Sequence, residues 1–204
     1  MKVHPPLSER KRELRGVLLA KRSALNAADI GVKSKNLAEH LSLMLAKNFP
    51  ATKQILAYWA MTGEPDLHAN LMEWGQRGIQ VGLPVTDRKT GSMEFHAYNP
   101  DVALVKGQMG GVEPDIRHSD KISLGLTNTI IVVPALAIDR SGYRIGLGAG
   151  FYDRYLNRYP HLPTIGVIFK EFLVESLPRE AHDVPVSVVI TDQGIEPLQI
   201  DHMK

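Results

Sequence analysis

Apolar positions near the start of the chain recur at helical intervals, with Leu14, Val17, Leu18 and Leu25 close to one face behind Ser8, a residue suited to capping a helix. Lys11 and Arg15, four residues apart, share another face of that helix. A second helix is predicted over Asp29 to Lys47 with Leu37, Leu41, Met44 and Leu45 inward. Short apolar runs then alternate with helical or turn segments. Strands are expected at Ile55 to Ala60, Ile79 to Pro84, Met93 to Tyr98, Thr129 to Val133, Thr164 to Phe169 and Val186 to Thr191. Helices are expected at Leu67 to Arg77 and Phe151 to Tyr159. Near-continuous Ile/Val strands separated by helices are buried on both sides, which predicts an α/β fold of three layers, α/β/α, with a largely parallel central sheet. Asn99 to Asn128 breaks the pattern, carrying Gly107, Gly110, Gly111 and Gly125 with little periodicity. It is too long for an ordinary connection and is either a mobile lid or binding loop, or an irregular excursion hiding a short helix.

Composition narrows the picture. At 204 residues and 44% hydrophobic, the chain can bury one full core, so residues 1–204 are expected to form a single domain. The absence of cysteine excludes disulfides, thiolate metal sites and a cysteine nucleophile, and it fits a reducing, cytoplasmic setting. The longest apolar run, Ile130 to Ile138, is interrupted by Pro134 and falls far short of the roughly 18 residues of a membrane span. No signal peptide is visible before or around Val17 to Ala20. Net charge is only +2, yet the first 22 residues hold seven basic side chains against two acids, Lys2 among the former. So local a concentration suits contact with a small anion, whereas a nucleic-acid surface would spread a basic stripe across the domain. The expected partners are small molecules, with no nucleic acid and no membrane, and a monomer is the expected state.

The candidate chemistry lies in Asp139 to Arg154, D-R-S-G-Y-R-I-G-L-G-A-G-F-Y-D-R. Gly146, Gly148 and Gly150 alternate directly before the helix at Phe151, so backbone N–H groups can crowd a polyanion at the positive end of a helix. Asp153 in the first turn would repel phosphates unless a hard, oxygen-seeking cation such as Mg²⁺ lay between them. The run therefore points to a metal–nucleotide complex. Its spacing fits neither the dinucleotide fingerprint nor the G-K-[ST] ending of a Walker A loop.

The same run closely resembles the signature of the 5-formyltetrahydrofolate cyclo-ligase family, R-[LI]-G-x-G-x-G-[FY]-Y-D, and keeps every fixed position of it. The resemblance continues in K-R-E-L-R at Lys11 to Arg15, Y-W-A-M-T-G-E-P-D from Tyr58 and V-G-L-P-V at Val81 to Val85. It extends through E-P at Glu113, I-I-V-V-P-A-L-A-I-D at Ile130 to Asp139 and L-P-R-E-A-H-D-V-P-V at Leu177 to Val186. It implies an enzyme that uses MgATP to close the N5-formyl group of 5-formyltetrahydrofolate onto N10, giving 5,10-methenyltetrahydrofolate, ADP and phosphate. A formamide oxygen is a poor leaving group, and phosphorylating it cures that, which leaves the protein mainly positioning and charge neutralisation to supply.

Carried over residue by residue, the resemblance assigns ATP to Lys11, Arg15, Arg144, Gly146, Leu147, Gly148, Ala149, Gly150, Phe151 and Tyr152. It gives the folate Trp59, Met61 and Glu64 together with Leu147 to Phe151, the metal to Asp153 and Asp183, and catalysis to Arg144, Tyr152 and Asp153. Where the family follows the acid with an aliphatic residue, an acid and Thr, this chain has Pro65, Asp66 and Leu67 after Glu64. His182 stands at a position that varies in the family and is given no role; Lys170 is a further candidate anion contact. Two rival functions remain at this point. One is a non-catalytic relative binding nucleotide or RNA, the other an enzyme of sugar phosphates or coenzyme A on a similar scaffold.

Overall fold

Ile130 and Val132 pack into one hydrophobic cluster and Ile131 and Val133 into another, so the strand that carries them is buried on both faces. The alternation of strand side chains thus feeds two cores at once. The computed structural model describes residues 5–124 and 128–199; Lys2 and Gly125 lie outside them. In chain order the elements are α1 (Leu7–Ser23), α2 (Ala27–Asn48), β1 (Gln54–Leu56), α3 (His68–Gln76), β2 (Gln80–Asp87) and β3 (Ser92–Tyr98). Next come β4 (Leu104–Lys106), β5 (Val112–Pro114), β6 (Thr129–Pro134), β7 (Ala137–Asp139), β8 (Arg144–Ile145), α4 (Phe151–Arg158) and β9 (Thr164–Val167). A 3-10 turn at Lys170–Phe172, β10 (Leu173–Val174), β11 (Val188–Thr191) and β12 (Gly194–Glu196) complete the described chain.

The main sheet has seven strands in the order β12-β11-β9-β6-β1-β2-β3. The block from β11 to β2 is parallel throughout, and the two edge strands, β12 and β3, are antiparallel. Leu37, Leu41, Met44, Leu71 and Trp74 of α2 and α3 cover the face bearing Ile130 and Val132. Leu18 of α1 and Phe151, Tyr155 and Leu156 of α4 cover the other. The predicted layers, helices and inner strands are therefore present, and no described helix is long and apolar enough to cross a membrane.

Four local expectations are corrected. Ser8 does not cap α1: the helix begins two residues earlier than such a cap implies, at Leu7 behind Pro6, whose carbonyl accepts the N–H groups of Glu9 and Arg10 at 3.0 and 3.1 Å. Val17 is 65% exposed, because the inward face of α1 runs through Lys11, Leu18 and Arg22. Helix α2 begins at Ala27 and not at Asp29, because Asn26 caps it, its side chain accepting the Asp29 N–H at 2.8 Å. The irregular stretch hides a hairpin rather than a helix, β4 pairing antiparallel with β5 through a turn at Gly110, whose φ is +89°.

Candidate active site

Strands β1 and β6 are neighbours, but the chain leaves β1 for β2 on one side and β6 for β9 on the other. Such a switch point opens a crevice beyond the carboxyl ends of the strands. There Tyr58 and Trp59 follow β1, and Ala135 and Leu136 follow β6, at the walls of a cleft of about 270 Å³. Every residue that the family resemblance assigned to ATP, folate, metal or catalysis lines this one cleft, from Lys11 and Arg15 through Glu64 and the glycine loop to Asp183.

The glycine loop joins β8 to α4. Gly148 and Gly150 hold φ of +100° and +68°, which L side chains rarely adopt, whereas Gly146 does not take a positive φ. A Cβ on Gly148 would also sit 3.2 Å from the Arg15 guanidinium, so the missing side chain lets that cation reach the loop. Arg15 Nε in turn donates to the Gly146 carbonyl at 3.1 Å. Leu147 is 44% exposed at the rim, while Phe151 turns into the core as α4 begins.

Two ion-pair clusters flank the loop. Arg144, whose side chain is 4% exposed, places Nη2 2.7 Å from Asp153 Oδ1 and donates through Nη1 to the Val184 carbonyl. Asp153 Oδ1 also accepts the Val184 N–H at 3.2 Å. Lys11 Nζ lies 2.6 Å from Asp183 Oδ2 and 2.8 Å from Glu180 Oε2, and the Glu180 N–H donates to Asp183 Oδ2 at 2.7 Å. Burial alone would push the Asp183 carboxyl up, but the bonds from Lys11 and the Glu180 N–H outweigh it and hold it below the usual range. For Lys11, burial pulls down but Asp183 and Glu180 win, and its pKa is raised. Glu180, His182 and Asp183 bring ligand atoms within 4.8 Å of one another, close enough to share one ion.

Both clusters are laced together by the Leu177 to Val186 segment. Its Arg179 and Leu177 N–H reach Asp139 Oδ2, each at 3.1 Å, while Asp139 Oδ1 accepts the N–H groups of Ser141 and Tyr143. Fully buried Asp139 thus belongs to the scaffold under the loop, pinning the turn between β7 and β8.

Tyr58, Trp59, Met61 and Glu64, from the segment after β1, also line the cleft. Trp59 is steadied edge-on by His68 and Tyr98, at ring centroid distances of 4.2 and 5.8 Å. Glu64 pairs with Arg22 at 3.0 Å and accepts the Met61 N–H at 3.0 Å. The Tyr152 hydroxyl is buried without a hydrogen-bond partner among the described residues, and burial, with the Glu64 charge beside it, pushes its pKa well above the usual tyrosine value. Sequence reasoning missed Arg22, Tyr58 and Glu180. Arg22 had one available signal, its spacing of seven and eleven from Arg15 and Lys11, which returns it to the same helix face. Lys170 is corrected: its ammonium is 2.6 Å from Glu196 at the sheet edge, an internal ion pair outside the cleft.

Comparison with known proteins agrees with this geometry. The model of the 5-formyltetrahydrofolate cyclo-ligase family matches residues 7–192. A 5-formyltetrahydrofolate cyclo-ligase of Mycolicibacterium smegmatis is 32% identical over 186 residues, covering 89% of this chain and 93% of that one. The Escherichia coli enzyme of the same name is 31% identical over 144 residues, 69% of this chain and 79% of its own. Among solved structures, the Aquifex aeolicus 5,10-methenyltetrahydrofolate synthetase superposes with a TM-score of 0.76 at 28% identity, covering 95% of this chain and 99% of that one. The Mycoplasma pneumoniae synthetase, at 21% identity and a TM-score of 0.66 over 89% of this chain and 98% of its own, adds support for the fold. With its signature loop, its flanking cations and its acids gathered at one switch-point cleft, this chain belongs to the 5-formyltetrahydrofolate cyclo-ligase family.

Proposed function

We propose that the protein closes 5-formyltetrahydrofolate to 5,10-methenyltetrahydrofolate at the expense of ATP, as a single-domain enzyme of the cytoplasm. The observation that carries the proposal is the convergence of a side-chain-free loop, the cations Lys11, Arg15 and Arg144, and the Trp59–Glu64 wall in one cleft. Arg15 and the N–H groups of Gly146 to Tyr152 bind the triphosphate, with Lys11 and Arg144 offsetting its charge. Leu147 to Phe151 form the floor between nucleotide and folate, Trp59 and Met61 pack against the ring system, and Glu64 accepts its N–H donors. The formyl oxygen attacks the γ-phosphoryl group and releases ADP; N10 then attacks the imidate carbon and phosphate departs. Tyr152, neutral and unpartnered, is a hydroxyl donor waiting in the cleft, and Arg144 holds Asp153 in place while compensating charge.

The donor set fits Mg²⁺. Asp183 and Glu180 already hold a cation, the Lys11 ammonium, and both hydrogen bonds accepted by Asp153 among the described residues fall on Oδ1. Oxygen ligands of this kind suit a hard divalent ion, which Asp153 and Asp183 would hold and which would neutralise phosphate charge. The test is the near-ultraviolet absorbance of the methenyl product, with MgATP, without ATP and with boiled protein. Absorbance that rises only in the first arm is expected; no rise above the boiled control refutes the proposal.

A further inference from the structure

One helix face supplies three cations to the cleft. Lys11, Arg15 and Arg22 of α1 stand within about 40° of one another around the helix axis, and Arg22 lies about 10 Å further along it than Arg15. Arg15 reaches the glycine loop and Lys11 the acids Asp183 and Glu180, whereas Arg22 meets Glu64. Its Nη1 meets Glu64 Oε1 at 3.0 Å, with side-chain exposures of only 10% and 9%, and the Met61 N–H takes Oε2. Both carboxylate oxygens are therefore fixed. Room for the arginine stem comes from Gly63: its φ is +81°, and a Cβ there would lie 2.8 Å from Arg22 Cγ. A glycine, a buried arginine and a backbone N–H thus converge on the angle of one carboxylate.

We propose that Arg22 is a positioning residue for 5-formyltetrahydrofolate, holding Glu64 in the orientation that receives the folate ring and so setting folate affinity independently of ATP. This rests on the proposed function, and specifically on Glu64 meeting folate. A carboxylate that swings loses the pairing of two acceptors with two donors, whereas the nucleotide end, served by other residues, is untouched. If Arg22 were only a strap between α1 and the loop after β1, its loss would lower the melting temperature and leave the balance of the two Michaelis constants alone.

The experiment compares wild type, Glu64→Gln, Arg22→Met and Arg22→Lys by steady-state kinetics, by folate titration of protein fluorescence without ATP, and by thermal unfolding. Arg22→Met is expected to raise the KM for 5-formyltetrahydrofolate by about tenfold to a hundredfold, the range for losing a charge-assisted hydrogen bond, with the KM for ATP changed less than about twofold. Arg22→Lys recovers part of the loss, because an ammonium supplies a point charge without the guanidinium fork; it carries the same comparison if the Met variant does not fold. A Glu64→Gln variant that weakens folate while both Arg22 variants bind it normally overturns the inference alone. Arg22 variants that raise both Michaelis constants together also overturn it. Wild type without ATP-dependent turnover overturns the proposed function instead.

Discussion

Arg144→Met separates what the Arg144–Asp153 pair does for stability from what it does for chemistry. The guanidinium is 4% exposed, and it meets Asp153 at 2.7 Å and the Val184 carbonyl. Burial lowers its pKa, with the charges of Asp153 and Asp183 pushing back, but an arginine stays protonated at neutral pH. Substituting methionine preserves the bulk and leaves Asp153 a carboxylate with the Val184 N–H as its remaining partner among the described residues. Removing one member of a buried pair costs about 3–5 kcal/mol, and the lower figure applies because Asp153 is 21% exposed. At about 2–4 °C per kcal/mol for a chain of this length, the melting temperature should fall by about 6–12 °C. The double variant Arg144→Met/Asp153→Asn leaves no unpaired charge and keeps an amide oxygen for the Val184 N–H, so it should recover at least half of that loss. Neither variant should regain turnover. Calorimetric melts at neutral pH, with the absorbance assay alongside, check both halves; a single variant melting within about 2 °C of wild type would show that the pair is not a buried one.

Tyr152→Phe removes a buried hydroxyl that has no partner among the described residues, so the free protein should be as stable as wild type or up to about 1 kcal/mol more stable, while turnover falls. A melt lowered by several degrees, or unchanged turnover, would count against the donor role. Lys11→Met should weaken ATP and shift acid unfolding to higher pH. The folded Asp183 carboxyl is held below its ordinary value, so its contribution is present above the unfolded pKa and is lost as pH falls through the folded one. Without Lys11 that loss begins earlier on acidification, and melts between neutral pH and about pH 3 would show it. For the lysine, raised in the fold, the matching loss lies on the alkaline side, as pH climbs through its folded pKa, and it is absent from the variant.

The inner strands, helices and glycine loop were legible because each leaves a local trace. Ile130 to Val133 reads as a buried strand, and alternating glycines before an aromatic pair read as a loop feeding a helix. What was illegible is carried by contacts between distant residues. Lys11 reaches Asp183 across 172 positions and Arg22 reaches Glu64 across 42, and no window of sequence displays either pairing. Val17 misled for a related reason: next to Leu18 it reads as core, but buried cations turn the helix inward along Lys11, Leu18 and Arg22. The β4–β5 hairpin escaped because strands of only three residues, Leu104–Lys106 and Val112–Pro114, are too short to show a periodicity.

Charge balance explains why these distant pairings belong to the site itself. In the free protein Lys11 rests on Asp183 and Glu180, Arg144 on Asp153 and Arg22 on Glu64, while Arg15 leans on a carbonyl. Each acid keeps a cation in a place that would otherwise cost several kcal/mol to desolvate. On the proposed reading, a triphosphate settling on the glycine loop would compete for Lys11 and Arg144, and their release would strip Asp183 and Asp153 of compensation where a divalent cation is proposed to be held. Nucleotide and cation would then be favoured together over either alone. The Arg22–Glu64 pair would have no such exchange to make, so the proposed folate contact could be fixed in advance.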